Sequence, residues 1–484
     1  MSTTPHPTPT VAPAPAHGLP LMLAMVIPAQ LLAITGIIGG AVQPHIAQHF
    51  HTTEIAWFSL ASALVTLVSV PFAMKFADIY GKRRVMLLLA VAGLAGDVVA
   101  ALAPSYPVLL AGRMITGLYG PVVALIHAAV REYFPPRRIA TAYGVVTGSI
   151  GVITLAGPPA TGRLVDAHGW RGGMWLLAGL TAFAALMIWR MPETRRRGRF
   201  GADFDWAGGL LLGAGVALIV FGVGRGNGHG WTALQTCGPI LAGLAALACF
   251  VPVELRAARP VVDVRMLSRR PVATVIAAAA FAQFAFVISP AILSFLAQFP
   301  HIPGVSDSFG WSTTHYALVG IPAGVATVAA GLAAGALLRR HPPRALWLAG
   351  TTVLICGLLL FSQFHGSAGE VIVSGVVTGL GGGTVMACGT AMIVSVITAR
   401  HQASVNGMAY LLLQVVGGIS YQVLFTVLST HRSIVHGTAF YRDQAFTNGY
   451  YFLAALGAVG LLVSLFMPRM RRLADAADDP DDGR

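Results

Sequence analysis

Stretches of roughly 20 apolar residues, enough to cross about 30 Å of hydrocarbon as a helix, recur from Leu19 to Pro468 with only short polar interruptions. About fourteen such spans fit between those limits. The predicted fold class is therefore an all-α polytopic membrane protein.

The polar interruptions alternate in charge. Loops around Lys75–Arg84, Arg131–Arg138, Arg190–Arg199, Arg256–Arg270, Arg339–Arg344, Arg400 and the tail after Pro468 hold most of the basic residues. The intervening loops hold Arg163, Arg171, Arg225, Arg432 and Arg442 and no lysine. By the positive-inside rule the rich side is cytoplasmic. An even number of spans then leaves both termini there.

Composition agrees with this reading. Of 484 residues 56% are hydrophobic and 10% charged, and the mean hydropathy is +0.73, well outside the range of water-soluble globules. The 31 basic residues exceed the 18 acidic ones to give a net charge of +13. The arginines sit in short turns between apolar spans, so the charge marks sidedness and not a nucleic-acid surface. Cys237, Cys249, Cys356 and Cys388 lie in or beside apolar spans without CxxC spacing, which indicates neither a disulfide framework nor a zinc site.

The spans divide six, two and six. Residues 1–18, rich in Pro, Thr, Ala and His without a basic n-region, read as a disordered cytoplasmic tail and not a cleavable signal. Residues 19–190 form a first six-helix bundle, 191–270 a linker with two extra spans opened by the Arg195-Arg196-Arg197 run, and 271–468 a second six-helix bundle. The aspartate-rich stretch 469–484 is a solvated tail. Two six-span halves suggest related bundles facing one another across a central cavity. Gly375, Gly379 and Gly383 form two overlapping GxxxG steps, a pattern that lets helix backbones approach closely in lipid.

Four features could carry chemistry. Asp78 lies at the end of the second span, followed by Gly81, Lys82, Arg83 and Arg84. An anion there can pair with a basic side chain or a helix N-terminus, giving either a conformational latch or a static cap. Arg113 lies deep in an apolar span, where its charge requires a partner or a watery cavity. A fifth span carries Gly144, Gly148, Gly151 and the run Gly157-Pro158-Pro159-Ala160-Thr161-Gly162, in which adjacent prolines bend the helix and glycines admit a neighbour. Asp97 is an acid well inside the third span, at a depth similar to that of Arg113. A structural Asp97–Arg113 ion pair and a proton relay through Asp97 are both open.

With these motifs the chain resembles the major facilitator superfamily, specifically its fourteen-span drug:proton antiporter branch. The Asp78–Arg84 turn is similar to the family loop GxLaDrxGrR, with Met74 where its first glycine stands. Arg113 matches the arginine of the fourth-span motif. Gly144, Gly157, Pro158 and Gly162 match the antiporter motif, with Ile153 and Thr161 replacing two of its glycines. The resemblance implies two six-helix bundles plus two helices, and export by alternating access coupled to proton influx. It also implies an aspartate in the first span, where this chain has Thr35 instead.

The expected cavity lining is Thr35, Gln43, Tyr119, Gln283, Gln298, Tyr410 and Gln414, with Phe281, Phe284 and Phe286 as an apolar wall. His127 reads as a helix contact. The expected partners are a lipophilic, drug-like small molecule, protons and the lipid bilayer of a bacterial inner membrane, with a periplasmic adaptor protein open as a further partner. No GxxxxGK[ST] loop for ATP and no catalytic constellation appears, so neither an enzyme nor a cofactor is indicated. A dedicated metabolite exporter or uncoupled facilitator is one competing reading. A non-transporting sensor or scaffold is another, disfavoured by the buried arginine and the bent span.

Overall fold

The computed structural model describes residues 18–194, 205–257, 264–267, 269–395 and 402–467. The N-terminal tail up to residue 17, the Arg195–Arg197 run and the acidic C-terminal tail lie outside the described residues. In chain order the helices are α1 (Gly18–Ala29), α2 (Leu31–His49), α3 (Trp57–Tyr80), α4 (Lys82–Leu102), α5 (Tyr106–Thr116), α6 (Pro121–Tyr133), α7 (Pro136–Arg190), α8 (Trp206–His229) and α9 (Leu234–Arg256). They continue as α10 (Val264–Leu267), α11 (Arg270–Gln298), α12 (Thr313–Leu337), α13 (Pro343–Gln363), α14 (Ala368–Ser395), α15 (Gln402–Leu428) and α16 (Asp443–Leu465). A hairpin of β1 (Arg432–Val435) and β2 (Thr438–Tyr441) interrupts the helices before α16. The protein is thus an all-α multi-pass membrane protein with one small hairpin that the apolar pattern does not announce.

Thirteen helical stretches among the described residues are long and apolar enough to cross a bilayer. One of them, Thr141–Arg190, runs for 50 residues, far more than the roughly 20 that a single crossing needs. It is broken at Gly169, whose φ of 66° and ψ of −168° leave helical geometry. The first and fourth stretches are each built from two helices in series: α1 and α2 meet at Gln30, and α5 and α6 join through the 3₁₀ turn Gly117–Tyr119.

Helices α1–α7 pack mainly on each other, as do α11–α16. Helices α8 and α9 pair together, and α8 leans on α3 and α15. Close backbone approach holds the second group. A Cβ at Gly379 would collide with the carbonyl oxygen of Ala323, and one at Gly383 with that of Thr327, so α14 lies directly on the α12 backbone. The GxxxG steps are therefore a buried helix contact. The main apolar core runs through both groups, from Ile38 and Val42 of α2 to Phe295 and Phe299 at the end of α11 and to Phe446 and Tyr450 of α16.

Candidate functional site

A cavity of about 440 Å³ lies between the two groups of helices, within the ~300–1,000 Å³ usual for small-molecule sites. Its walls come from α2 (Gly36, Gly40, Gln43), α3 (Ser59, Ala63), α7 (Thr154, Pro158), α11 (Phe284, Phe286), α12 (Tyr316, Gly320), α13 (Phe361), α14 (Gly375), α15 (Gln414, Tyr421) and α16 (Tyr450). Of the residues expected there, Gln43, Gln414, Phe284 and Phe286 line it. The others are placed elsewhere. Thr35 and Tyr119 are buried and hydrogen-bonded to each other, closing the packing of the first group. Gln283 packs against Gly389, Gln298 belongs to the mouth described next, and Phe281 packs on the core without joining the wall. The side chain of Tyr410 lies outside the described residues. His127 Nδ1 donates locally to the Val123 carbonyl at 2.8 Å, and the ring stacks on Tyr143.

One mouth of the cavity is closed by a belt of hydrogen bonds joining the two groups. His45 Nε2 of α2 lies 3.1 Å from Gln298 Oε1 of α11 and 2.9 Å from Thr313 Oγ1 of α12. Thr313 donates its hydroxyl to the same Gln298 oxygen at 2.9 Å, so the imidazole must donate. Ser294 of α11 donates to the Gly40 carbonyl at 2.5 Å. Asp166 of α7 accepts the backbone N–H groups of Thr313 and Thr314 at 2.8 and 2.9 Å, capping α12 from across the interface. Tyr421 of α15 donates to Gln43 at 2.9 Å and lies 3.3 Å from Ser59. Neither His45 nor Asp166 was legible as a site residue. Their signal is only an ionisable side chain near the end of an apolar span, which is common at interfaces.

From that mouth the groups diverge along α7 and α12. The residues Gly144, Gly148, Gly151, Leu155, Pro158 and Gly162 share one face of α7 at alternating three- and four-residue steps. At Gly162 a Cβ would stand 2.8 Å from Thr314 Cα. Leu155 is 3.1 Å from the Cβ position of Gly324, and Val328 is 3.5 Å from that of Gly151. At Gly148 and Gly144 nothing lies within 4 Å. The motif helix thus touches its partner near the belt and parts from it toward the basic loops, with Pro158 facing the cavity at the midpoint.

Behind the wall lies a charged layer. Gly96 of α4 and Gly112 of α5 cross backbone to backbone, each Cβ position within 2.8 Å of the other glycine's carbonyl oxygen. The crossing brings Asp97 and Arg113 to similar depth, as sequence spacing predicts, yet they form no ion pair. Asp97 instead accepts from Thr116 at 2.8 Å and from Thr181 of α7 at 2.7 Å. Arg113 donates to the Phe58 carbonyl and to Ser62 Oγ, each at 3.2 Å, and lies 4.6 Å over the Phe58 ring. The tight crossing turns the carboxylate toward the α7 hydroxyl and the guanidinium toward α3. Both side chains are almost fully buried, and neither lines the cavity.

The basic turn also differs from expectation. Gly81 has a φ of 96°, which explains the glycine. Asp78, however, is exposed and has no hydrogen bond or ion pair among the described residues. The acids that engage this turn are Glu132 and Glu193. Lys82 pairs with Glu132, the Arg83 N–H donates to Glu193 at 3.1 Å, and the Arg83 guanidinium reaches the Trp189 carbonyl at 2.6 Å. Arg84 lies 3.7 Å from Glu193 but is mostly solvated, a geometry worth little energetically.

Known proteins share this architecture. A family model described as Major Facilitator Superfamily matches residues 29–299 and again 291–480. The tetracenomycin C resistance and export protein of Streptomyces glaucescens is 27% identical over 449 residues, covering 89% of this chain and 80% of its own length. The multidrug resistance protein Stp of Mycobacterium tuberculosis (strain CDC 1551 / Oshkosh) is 28% identical over 83% of this chain and 73% of itself. Among solved structures, a POT family transporter in complex with 5-aminolevulinic acid superposes with a TM-score of 0.66 at 15% identity, covering 93% of this chain and 96% of that one. That likeness concerns the fold alone.

Proposed function

This chain belongs to the Major Facilitator Superfamily, a transporter and not an enzyme, and on that premise we propose that it exports lipophilic, drug-like molecules across a bacterial inner membrane by alternating access. In this reading the chain crosses fourteen times as two six-helix bundles and an inserted pair, with the basic loops and both termini cytoplasmic. The observation that carries it is the asymmetric cavity. A belt centred on His45, Gln298 and Thr313 closes one mouth, while α7 and α12 part toward the basic side. That is the geometry of a state loading from the cytoplasm. The export-related relatives support the direction. A dedicated exporter of one metabolite shares the same geometry. A sensor or scaffold has no need of a belt that can break.

Opening the far mouth requires the belt to come apart. Replacing His45 with Leu removes the single Nε2–H donor that Gln298 and Thr313 share, worth ~0.5–1.5 kcal/mol net as a hydrogen bond, and should shift the population toward the state open on the opposite side. Spin labels at Glu54→Cys and His436→Cys, with Cys237, Cys249, Cys356 and Cys388 replaced by alanine, should report a longer distance in the His45→Leu background. An unchanged distance distribution argues against the belt as the gate.

Proton coupling, with a threonine at the first-span position, falls to Asp97. Its threonine partners can also hydrogen-bond an amide, so Asp97→Asn should fold with a melting temperature close to wild type. It should bind substrate normally but lose substrate-driven pH change in proteoliposomes. Flux retained per folded molecule discards the relay, and a large fall in melting temperature assigns Asp97 a structural role instead.

A further inference from the structure

The cavity wall combines three properties that together specify what it can hold. Among the described residues that line it there is no Asp, Glu, Lys, Arg or His. The two buried charges of the layer behind it are turned away, Asp97 toward Thr116 and Thr181 and Arg113 toward Phe58 and Ser62. A charged ligand would therefore leave water without gaining a counter-ion, and an unpaired buried charge is strongly disfavoured.

The second property is shape. Phe361 and Tyr450 stack nearly parallel, with ring centroids 4.8 Å apart and planes inclined by 6°, and both belong to the wall with Phe284 and Phe286. Other positions of the wall are glycine. At Gly36, Gly40, Gly320 and Gly418, all in the wall, an added Cβ would meet nothing within 4 Å. Phe361 and Tyr450 are buried against one another, so the partly exposed rings of the wall are Phe284 and Phe286; with the open glycine backbone they leave room for an extended flat body, which stacks on an aromatic ring in offset geometry.

The third property is unused hydrogen-bonding capacity. Gln43 is committed, donating to the Ile55 carbonyl and accepting from Tyr421. Gln414 lines the cavity and has no hydrogen-bond partner among the described residues, so its amide offers a donor and an acceptor. The Tyr450 hydroxyl is buried without a partner, a state that normally marks a missing donor or acceptor.

We infer that this cavity binds flat, uncharged polycyclic aromatic molecules bearing hydroxyl or carbonyl groups, and discriminates against permanent cations and anions of the same shape. The inference rests on the exporter reading only in taking this cavity as the substrate site.

The test is equilibrium dialysis of the full-length purified protein in detergent, with protein-free micelles as the blank. Three flat tricyclic probes are compared: dihydroxyanthraquinone, anthraquinone sulfonate and N-methylacridinium. The neutral probe should bind at least about tenfold tighter than either ion, equivalent to ~1.4 kcal/mol. Gly320→Asp, which adds a carboxylate where a Cβ has open space, should raise acridinium affinity at least about tenfold. Gln414→Ala should weaken only the neutral probe. Equal binding of acridinium or sulfonate by the wild type, or no binding of the anthraquinone, overturns the inference. Retention of the anthraquinone by cells expressing the protein is read separately. Binding without reduced retention contradicts the exporter reading and leaves the binding class standing, whereas reduced retention of acridinium with no preference for the neutral probe does the reverse.

Discussion

Replacing Arg113 with alanine should abolish export while the protein still inserts and folds. The guanidinium is buried in the N-terminal group and holds the start of α3 through the Phe58 carbonyl and Ser62. One turn earlier on the same helix, Ser59 lies within hydrogen-bond reach of Tyr421 of the C-terminal group. Arg113 therefore supports the α3 segment against which the closed mouth forms. Alanine leaves that segment without its charged brace and replaces a full side chain by a cavity. Lysine should rescue only in part, because an ammonium cannot serve two acceptors in the fixed fork of a guanidinium. Transport per molecule in proteoliposomes, normalised to folded protein by size-exclusion chromatography, is the measurement. Wild-type transport by Arg113→Ala removes Arg113 from the mechanism.

The second large effect is on folding. Gly383→Leu should prevent recovery of monodisperse protein or lower its melting temperature by many degrees. A Cβ at this position overlaps the Thr327 carbonyl of α12, a backbone atom that cannot move without separating the helices. Helix association in lipid depends on such packing, since hydrocarbon offers no hydrophobic drive between helices, and overpacking costs ~1–3 kcal/mol or more. Gly335→Leu in α12, where nothing stands within 4 Å of the Cβ position, is the control and should behave like wild type. Equal stability of the two variants contradicts the α12–α14 contact.

Some of this protein was written in its amino-acid order. Hydrophobic runs near 20 residues dictate membrane helices because hydrocarbon cannot satisfy a bare backbone. The motifs carrying Gly81, Arg113 and Gly157–Gly162 likewise follow from local requirements: a positive φ, the cost of a buried cation, and close approach of a neighbour. Depth was also readable, since helical rise places Asp97 and Arg113 level with one another.

What only the tertiary structure decided is which way the side chains at that depth point. The Gly96–Gly112 crossing turns Asp97 to Thr181, 84 residues away in the chain, and so gives it two hydroxyl bonds where the sequence left an ion pair with Arg113 open. It assigned the basic turn to Glu132 and Glu193 in place of Asp78. It also brought His45 to Gln298, 253 residues later, and sealed Thr35 and Tyr119 away from the cavity. A single helix has a definite periodicity but no knowledge of its neighbours. Which face meets a cavity, and which meets another helix, is settled by how the two groups of helices pack, and the site is made of those choices.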